Sequence, residues 1–149
     1  MPELLEVAVD KFTFKIATDR WYTREGLWVQ PEADRVRIGL SDFRQQRSGD
    51  IAFVEVKPIG TPLTVGAEVV SIETIKVDVA LSSPVSGQVI EVNPALDAAP
   101  ETINQDPYDA GWLAVIAASD WVTDRSRLLS ATAYFELIKR EVEEELQTQ

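Results

Sequence analysis

Lys76 stands in Glu73-Thr74-Ile75-Lys76-Val77-Asp78, an amine between two β-branched residues. Val69 to Thr74 and Val77 to Leu81 read as the two arms of a hairpin, with Lys76 at its tip. An amine held there is mobile and open to solvent. Acylating it removes the charge and leaves a long swinging side chain. A rigid sheet beneath fixes the base of that arm. A lone surface lysine is ordinarily just solvated, but Lys11, Lys15, Lys57 and Lys139 have no comparable setting. Eight residues after Lys76 the chain reaches Pro84-Val85-Ser86-Gly87, which bends it into another strand.

The missing residue types narrow the chemistry further. The chain has no cysteine, which excludes disulfides, zinc–thiolate sites and Fe–S ligation. It has no histidine, so the usual general base and the commonest metal ligand are absent. Neither a Ser/His/Asp nor a Cys/His set can be built, and no catalytic residue is assigned. The acidic residues are scattered without an Asp-x-Asp-x-Asp-Gly loop, so no metal site is expected. A net charge of −11 repels phosphate backbones and anionic bilayers, which argues against nucleic-acid and membrane partners. No apolar run approaches the ~18 residues of a membrane span. Met1-Pro2-Glu3-Leu4-Leu5-Glu6 lacks the basic start of a secretory signal, so a cytoplasmic location is expected.

The elements that must position Lys76 are mostly strands. Phe12, Phe14 and Ile16 alternate with Lys11, Thr13 and Lys15, and Val36, Ile38 and Leu40 alternate with Arg35, Arg37 and Gly39. Trp21 to Val29 reads as a turn feeding a strand. Ile51 to Val56 and Gln88 to Val92 add two more strands. A weak internal repeat relates Ser48-Gly49-Asp50-Ile51 to Ser86-Gly87-Gln88-Val89, and Gly66 to Ile72 to Gly111 to Ile116. The lysine hairpin falls between the copies. Ser41 and Asp42 open a short helix near 41–46. Asn93 to Ala110 is loop-like, because its prolines forbid long regular elements. Ala131, Tyr134, Phe135, Ile138, Val142 and Leu146 form one apolar face of a C-terminal helix, about 130–146. The prediction is one mainly β domain over 1–149, a flattened barrel or sandwich of two half-sheets, with helices at those two places.

From about Val36 to Tyr134 the chain resembles the H proteins of the glycine cleavage system. The matching pieces include Ile38-Gly39-Leu40-Ser41-Asp42, Gly49-Asp50-Ile51, Glu73-Thr74-Ile75-Lys76, Ser83-Pro84-Val85-Ser86-Gly87 and Val89-Ile90-Glu91-Val92-Asn93. The run Asn104-Gln105-Asp106-Pro107-Tyr108, followed by Gly111-Trp112-Leu113, is the most specific of them. Upstream, Tyr22-Thr23-Arg24-Glu25 and Trp28-Val29 match as well. The resemblance implies the lipoyl-domain hybrid-motif fold and lipoate bound covalently to Lys76. It implies a non-catalytic carrier that a lipoate-attaching enzyme must modify, and Glu73 and Asp78 are candidates for recognition by that enzyme. A biotin carrier would flank its lysine with methionines, whereas this one has Ile75 and Val77.

Departures from the family pattern bear on the cargo. The family's His-Glu pair before the tryptophan is Gly26-Leu27 here, an acidic residue four places after the lysine is Ala80, and a histidine after the Ser/Thr-Asp step is Phe43. Glu25, Leu27, Phe43 and Ala80 are therefore the candidate walls of an arm cleft, less polar than the family's. An unpaired ammonium is costly to bury. On that ground the expectation leans to a second H-protein-like group, lipoate-binding proteins that shuttle a sulfur intermediate with a heterodisulfide-reductase-like complex. The alternative is the glycine cleavage role, carrying an aminomethyl group from glycine decarboxylase to aminomethyltransferase.

Overall fold

The computed structural model describes residues 3–9 and 11–147. Among the described residues, eleven strands form the largest share of the regular structure. β1 (Leu4–Val9) and β2 (Phe12–Ala17) form a separate antiparallel hairpin. β3 (Trp21–Tyr22), β4 (Leu27–Glu32), β5 (Arg35–Leu40), β7 (Pro62–Leu63), β10 (Gly87–Val92) and β11 (Ala114–Ala118) make a six-stranded sheet in the order β3-β4-β5-β11-β10-β7. β6 (Ile51–Val56), β8 (Glu68–Thr74) and β9 (Asp78–Ser82) make a three-stranded sheet in the order β6-β8-β9. The two larger sheets enclose a core of Leu27, Val29, Ile38, Leu40, Ile72, Leu81 and Ile116. The internal repeat maps onto equivalent pairings, since β6 pairs antiparallel with β8 and β10 with β11. The mainly β two-sheet architecture follows the sequence expectation.

α1 (Asp42–Ser48) begins where Ser41 Oγ accepts a hydrogen bond from the Arg44 amide at 3.2 Å. α4 (Ala131–Gln147) begins where Ser130 Oγ accepts from the Ala133 amide at 3.1 Å. Its Ala131, Tyr134, Ile138 and Val142 are buried, and Leu146, expected on the same face, is 37% exposed. These side chains meet Phe14, Tyr22 and Trp28 in a second core. Tyr22 and Tyr134 stack with centroids 4.5 Å apart and planes 3° from parallel. The Tyr134 hydroxyl shares a buried hydrogen bond with Ser41 Oγ at 2.8 Å, which joins α4 to the start of α1.

Two helices were not legible in the sequence. α2 (Thr102–Gln105) lies in the stretch read as loop, with a 3-10 turn at Pro94–Leu96 before it. The prolines limit both to about one turn, so the loop reading failed in detail for lack of periodicity. α3 (Trp121–Arg125) is capped by Asp120. Of the residues expected on the inner face of the strand at Phe12, only Phe14 and Ile16 are buried, and Phe12 is 45% exposed. Among the described residues no helix is long and apolar enough to cross a membrane.

Candidate carrier site at the β8–β9 turn

Lys76 occupies the turn that joins β8 to β9, and its side chain is exposed. Thr74 builds this turn. Its Oγ1 accepts from the Lys76 amide at 3.2 Å and from the Val77 amide at 3.0 Å, and donates to Val77 O at 3.0 Å. The Lys76 and Val77 amides are thus satisfied within the turn, and none of these bonds uses the lysine side chain. Among the described residues none forms an ion pair with the amine. Ile75 beside it is 92% exposed.

The support beneath the turn is a polar lattice. Ile51, the first residue of β6, pairs with Thr74 across the sheet. Its amide donates to Asn104 Oδ1 at 3.0 Å. Asn104 Nδ2 donates in turn to Gly49 O at 3.0 Å and to Gln45 Oε1 at 3.0 Å. Asn104 therefore ties α2 to the end of α1 and to the strand on which the lysine turn is built. Gly49 has φ 82, a left-handed conformation that glycine adopts at little cost. Lys76 Cε lies 4.0 Å from where a Cβ on Gly49 would stand. The sequence signature containing Asn104 was visible as a motif, but its structural task depends on side chains brought from three separate elements.

The remaining candidates are distributed unevenly. Glu73 and Asp78 are exposed and directly opposite one another on β8 and β9, so two carboxylates flank the lysine turn. Like charges so placed repel. Ala80 is exposed further along β9. Glu25 lies at the opposite end of that strand, where its Oε1 accepts from the Ser82 amide at 3.0 Å. Phe43 is 9% exposed and meets Phe14 edge-on, 5.0 Å between centroids. Leu27 is fully buried in the core between the sheets. The expectation that Leu27 walls an arm cleft is corrected by that burial: β4 alternates its side chains, and this one points inward. The buried Asp124, which sequence reasoning passed over, holds the Ser86 amide at 2.9 Å and so braces the turn into β10.

Residues 20–141 match the family model described as glycine cleavage H-protein. The glycine cleavage system H protein of Anaeromyxobacter sp. is 42% identical over 120 residues, covering 80% of this chain and 93% of that protein. The one from Thermus thermophilus is 37% identical over 126 residues, covering 85% and 98%. A crystal structure of a glycine cleavage system H protein from Mycobacterium marinum superposes with a TM-score of 0.72 at 34% identity, covering 80% of this chain and 95% of that one. The chain belongs to the glycine cleavage H-protein family. It is a carrier without a catalytic step of its own, and its cofactor is lipoate attached covalently to a lysine. The β8–β9 turn fits such a group: Lys76 is exposed, its amine has no ion-pair partner among the described residues, and glycine rather than a side chain faces it at Gly49.

Proposed function

We propose that Lys76 is the lysine that bears lipoate, and that a lipoate-attaching enzyme installs it there, with Glu73 and Asp78 as recognition groups. The protein then serves, as one lipoyl domain, to carry an aminomethyl group from glycine decarboxylase to aminomethyltransferase. The observation that carries this reading is the exposed amine, without an ion-pair partner among the described residues, on a turn that Thr74 fixes. The glycine cleavage assignment is supported by the H proteins that this chain resembles at about 40% identity. Lipoate would supply a dithiolane that accepts the cargo and passes it on. The chain's part is mechanical: Thr74 fixes the turn, Asn104 fixes the strand below it, and the amine is held outward.

A second reading is favoured by one feature of the surroundings. Ala80, where the resemblance places an acidic residue, is exposed on β9 of the lysine hairpin, so one counter-charge is missing there. A surface without it suits a cargo less cationic than an aminomethyl group, as in sulfur transfer with a heterodisulfide-reductase-like complex.

Lys76→Arg should abolish the acyl mass increment in protein from its native host while leaving stability within about 0.5 kcal/mol, as expected for an exposed side chain. An increment that survives on another lysine would refute the assignment. Reconstitution separates the cargoes. Lipoylated protein offered to glycine decarboxylase with glycine should become loaded, and failure there with turnover in the sulfur system would select the second reading.

A further inference from the structure

Large apolar side chains stand in water around the lysine turn. Phe53 on β6 is 68% exposed, and Ile75 and Val77, on either side of Lys76, are exposed as well. The sheet register brings them to one place. Phe53 pairs with Glu73 on β8, and Glu73 pairs with Asp78 on β9. Residues directly opposite in an antiparallel sheet share a face, with Cβ atoms ~5 Å apart. Phe53, Glu73 and Asp78 therefore form one row across the outer face, just below the turn. Val54 and Ile72, paired in the next register position, turn to the core instead. Glu55 follows Phe53 by two residues and shares its face. These side chains line a shallow groove of about 530 Å³ whose charged walls, Glu55, Glu73 and Asp78, are all acidic.

Exposed apolar residues are ordinary when single, but a contiguous set rimmed by charge marks an interaction surface. An aromatic centre with a polar rim is the anatomy of a docking patch. A second copy of this chain fits it poorly, because it would set Glu55, Glu73 and Asp78 against the same carboxylates. A partner with an apolar pocket and basic side chains around it fits well. Position selects among such partners. An enzyme that acylates Lys76 has to bring its donor to the amine, and in doing so it covers Ile75, Val77 and the row below them. Enzymes that act on the dithiolane meet it at the far end of the acyl chain and can stand clear of the sheet.

We propose that Phe53, with Ile75 and Val77, is the apolar anchor on which the lipoate-attaching enzyme docks, through a pocket rimmed by basic groups that meet Glu55, Glu73 and Asp78. The proposal rests on Lys76 being the acylated lysine, and it adds a contact from a separate strand to those at Glu73 and Asp78. In the step it serves, the Lys76 amine attacks the carbonyl carbon of an activated donor, lipoyl adenylate. The amide C–N bond forms, the bond from that carbon to the phosphate oxygen breaks, adenylate leaves, and the amine's surplus protons pass to solvent.

The full unlipoylated chain is offered to the native host's lipoate-attaching enzyme with lipoyl adenylate, and initial rates are read by intact mass. Phe53→Ser should raise the KM for the chain about tenfold, equivalent to ~1.4 kcal/mol, the order set by moving an aromatic ring from water into an apolar pocket. Its kcat should stay within about twofold, since docking and not the amine's chemistry is altered. Phe53→Leu should recover most of the loss. Val122→Ser, at a similarly exposed apolar position on α3, should leave KM unchanged. Added salt should raise the wild-type KM more than that of Glu55→Gln. Ile75→Ser, on the exposed turn, carries the same test if Phe53→Ser fails to fold. An unchanged KM in both serine variants, with Lys76 still acylated, would overturn the docking surface and leave the carrier reading in place. So would a sedimenting dimer that Phe53→Ser dissociates, or normal acylation followed by slow loading at glycine decarboxylase, because the face would then belong to those partners. No acyl increment on Lys76 of the wild type would overturn the carrier reading and this surface with it.

Discussion

Asn104→Ala should loosen the lysine turn from more than one residue's distance. The wild-type amide makes three hydrogen bonds, to the Ile51 amide, Gly49 O and Gln45 Oε1, all at 3.0 Å. Each such bond contributes a net ~0.5–1.5 kcal/mol, and a buried partner left unsatisfied costs more. Three of them sum to about 3 kcal/mol at face value. Asn104 is only half-buried and water can reach part of the gap, so about 2 kcal/mol is the expected loss. For a chain of this size that corresponds to a melting temperature lower by ~4–8 °C. Calorimetry measures it. Hydrogen exchange should also show faster opening at Ile51 and Thr74 than in α4, because the lost anchor is local to β6 and β8. Asn104→Asp sharpens the test. It keeps an acceptor for the Ile51 amide but sets a carboxylate against two carbonyl oxygens, so it should be no milder than alanine. A loss below about 0.5 kcal/mol for Asn104→Ala, the range of ordinary surface changes, would refute the lattice argument.

Two further outcomes follow from the packing. Gly39→Ala should destabilise by about 1–3 kcal/mol or prevent folding, since a Cβ there would fall 2.3 Å from the Trp28 ring; urea unfolding measures this, and a neutral result would mean that Trp28 can shift despite its bond to Pro107 O. Stability should fall at alkaline pH. Burial pushes the Tyr108 phenol up to about 12, and burial likewise raises Tyr22 and Tyr134. With folded values above the unfolded value of about 10, this contribution is complete below pH ~10 and is lost as pH rises through the folded value near 12 for Tyr108. Phenolate absorbance followed alongside far-UV dichroism should show these tyrosines ionising only as the chain unfolds, and early ionisation without unfolding would contradict it.

Much of the carrier site was local enough to read directly. Lys76 lies between strand-like runs, and the turn that presents it is made by Thr74, two residues away. The short helix after Ser41 and the C-terminal helix were marked by cap residues and by period. The arm cleft was another matter. Leu27 and Phe43 were grouped with Glu25 and Ala80 by alignment of motifs, and the fold divides them between two cores and the surface. Alternation along a strand gives which residues share a face, but which face meets the core is fixed only when sheets stack.

The same division runs through the whole molecule. Absence of cysteine and histidine excluded Ser/His/Asp and Cys/His sets, and the short motifs around Lys76 carried the resemblance that implied a carrier. These are properties of residue type and of short windows, and they survive without any tertiary contact. Long-range pairing decided the rest: Asn104 meeting Gly49 across 55 positions, Ser41 meeting Tyr134 across 93, and an N-terminal hairpin tied to α1 through Asp42 and Gln46. Such contacts form only when distant segments bury their apolar faces together, and that choice belongs to the folded chain as a whole.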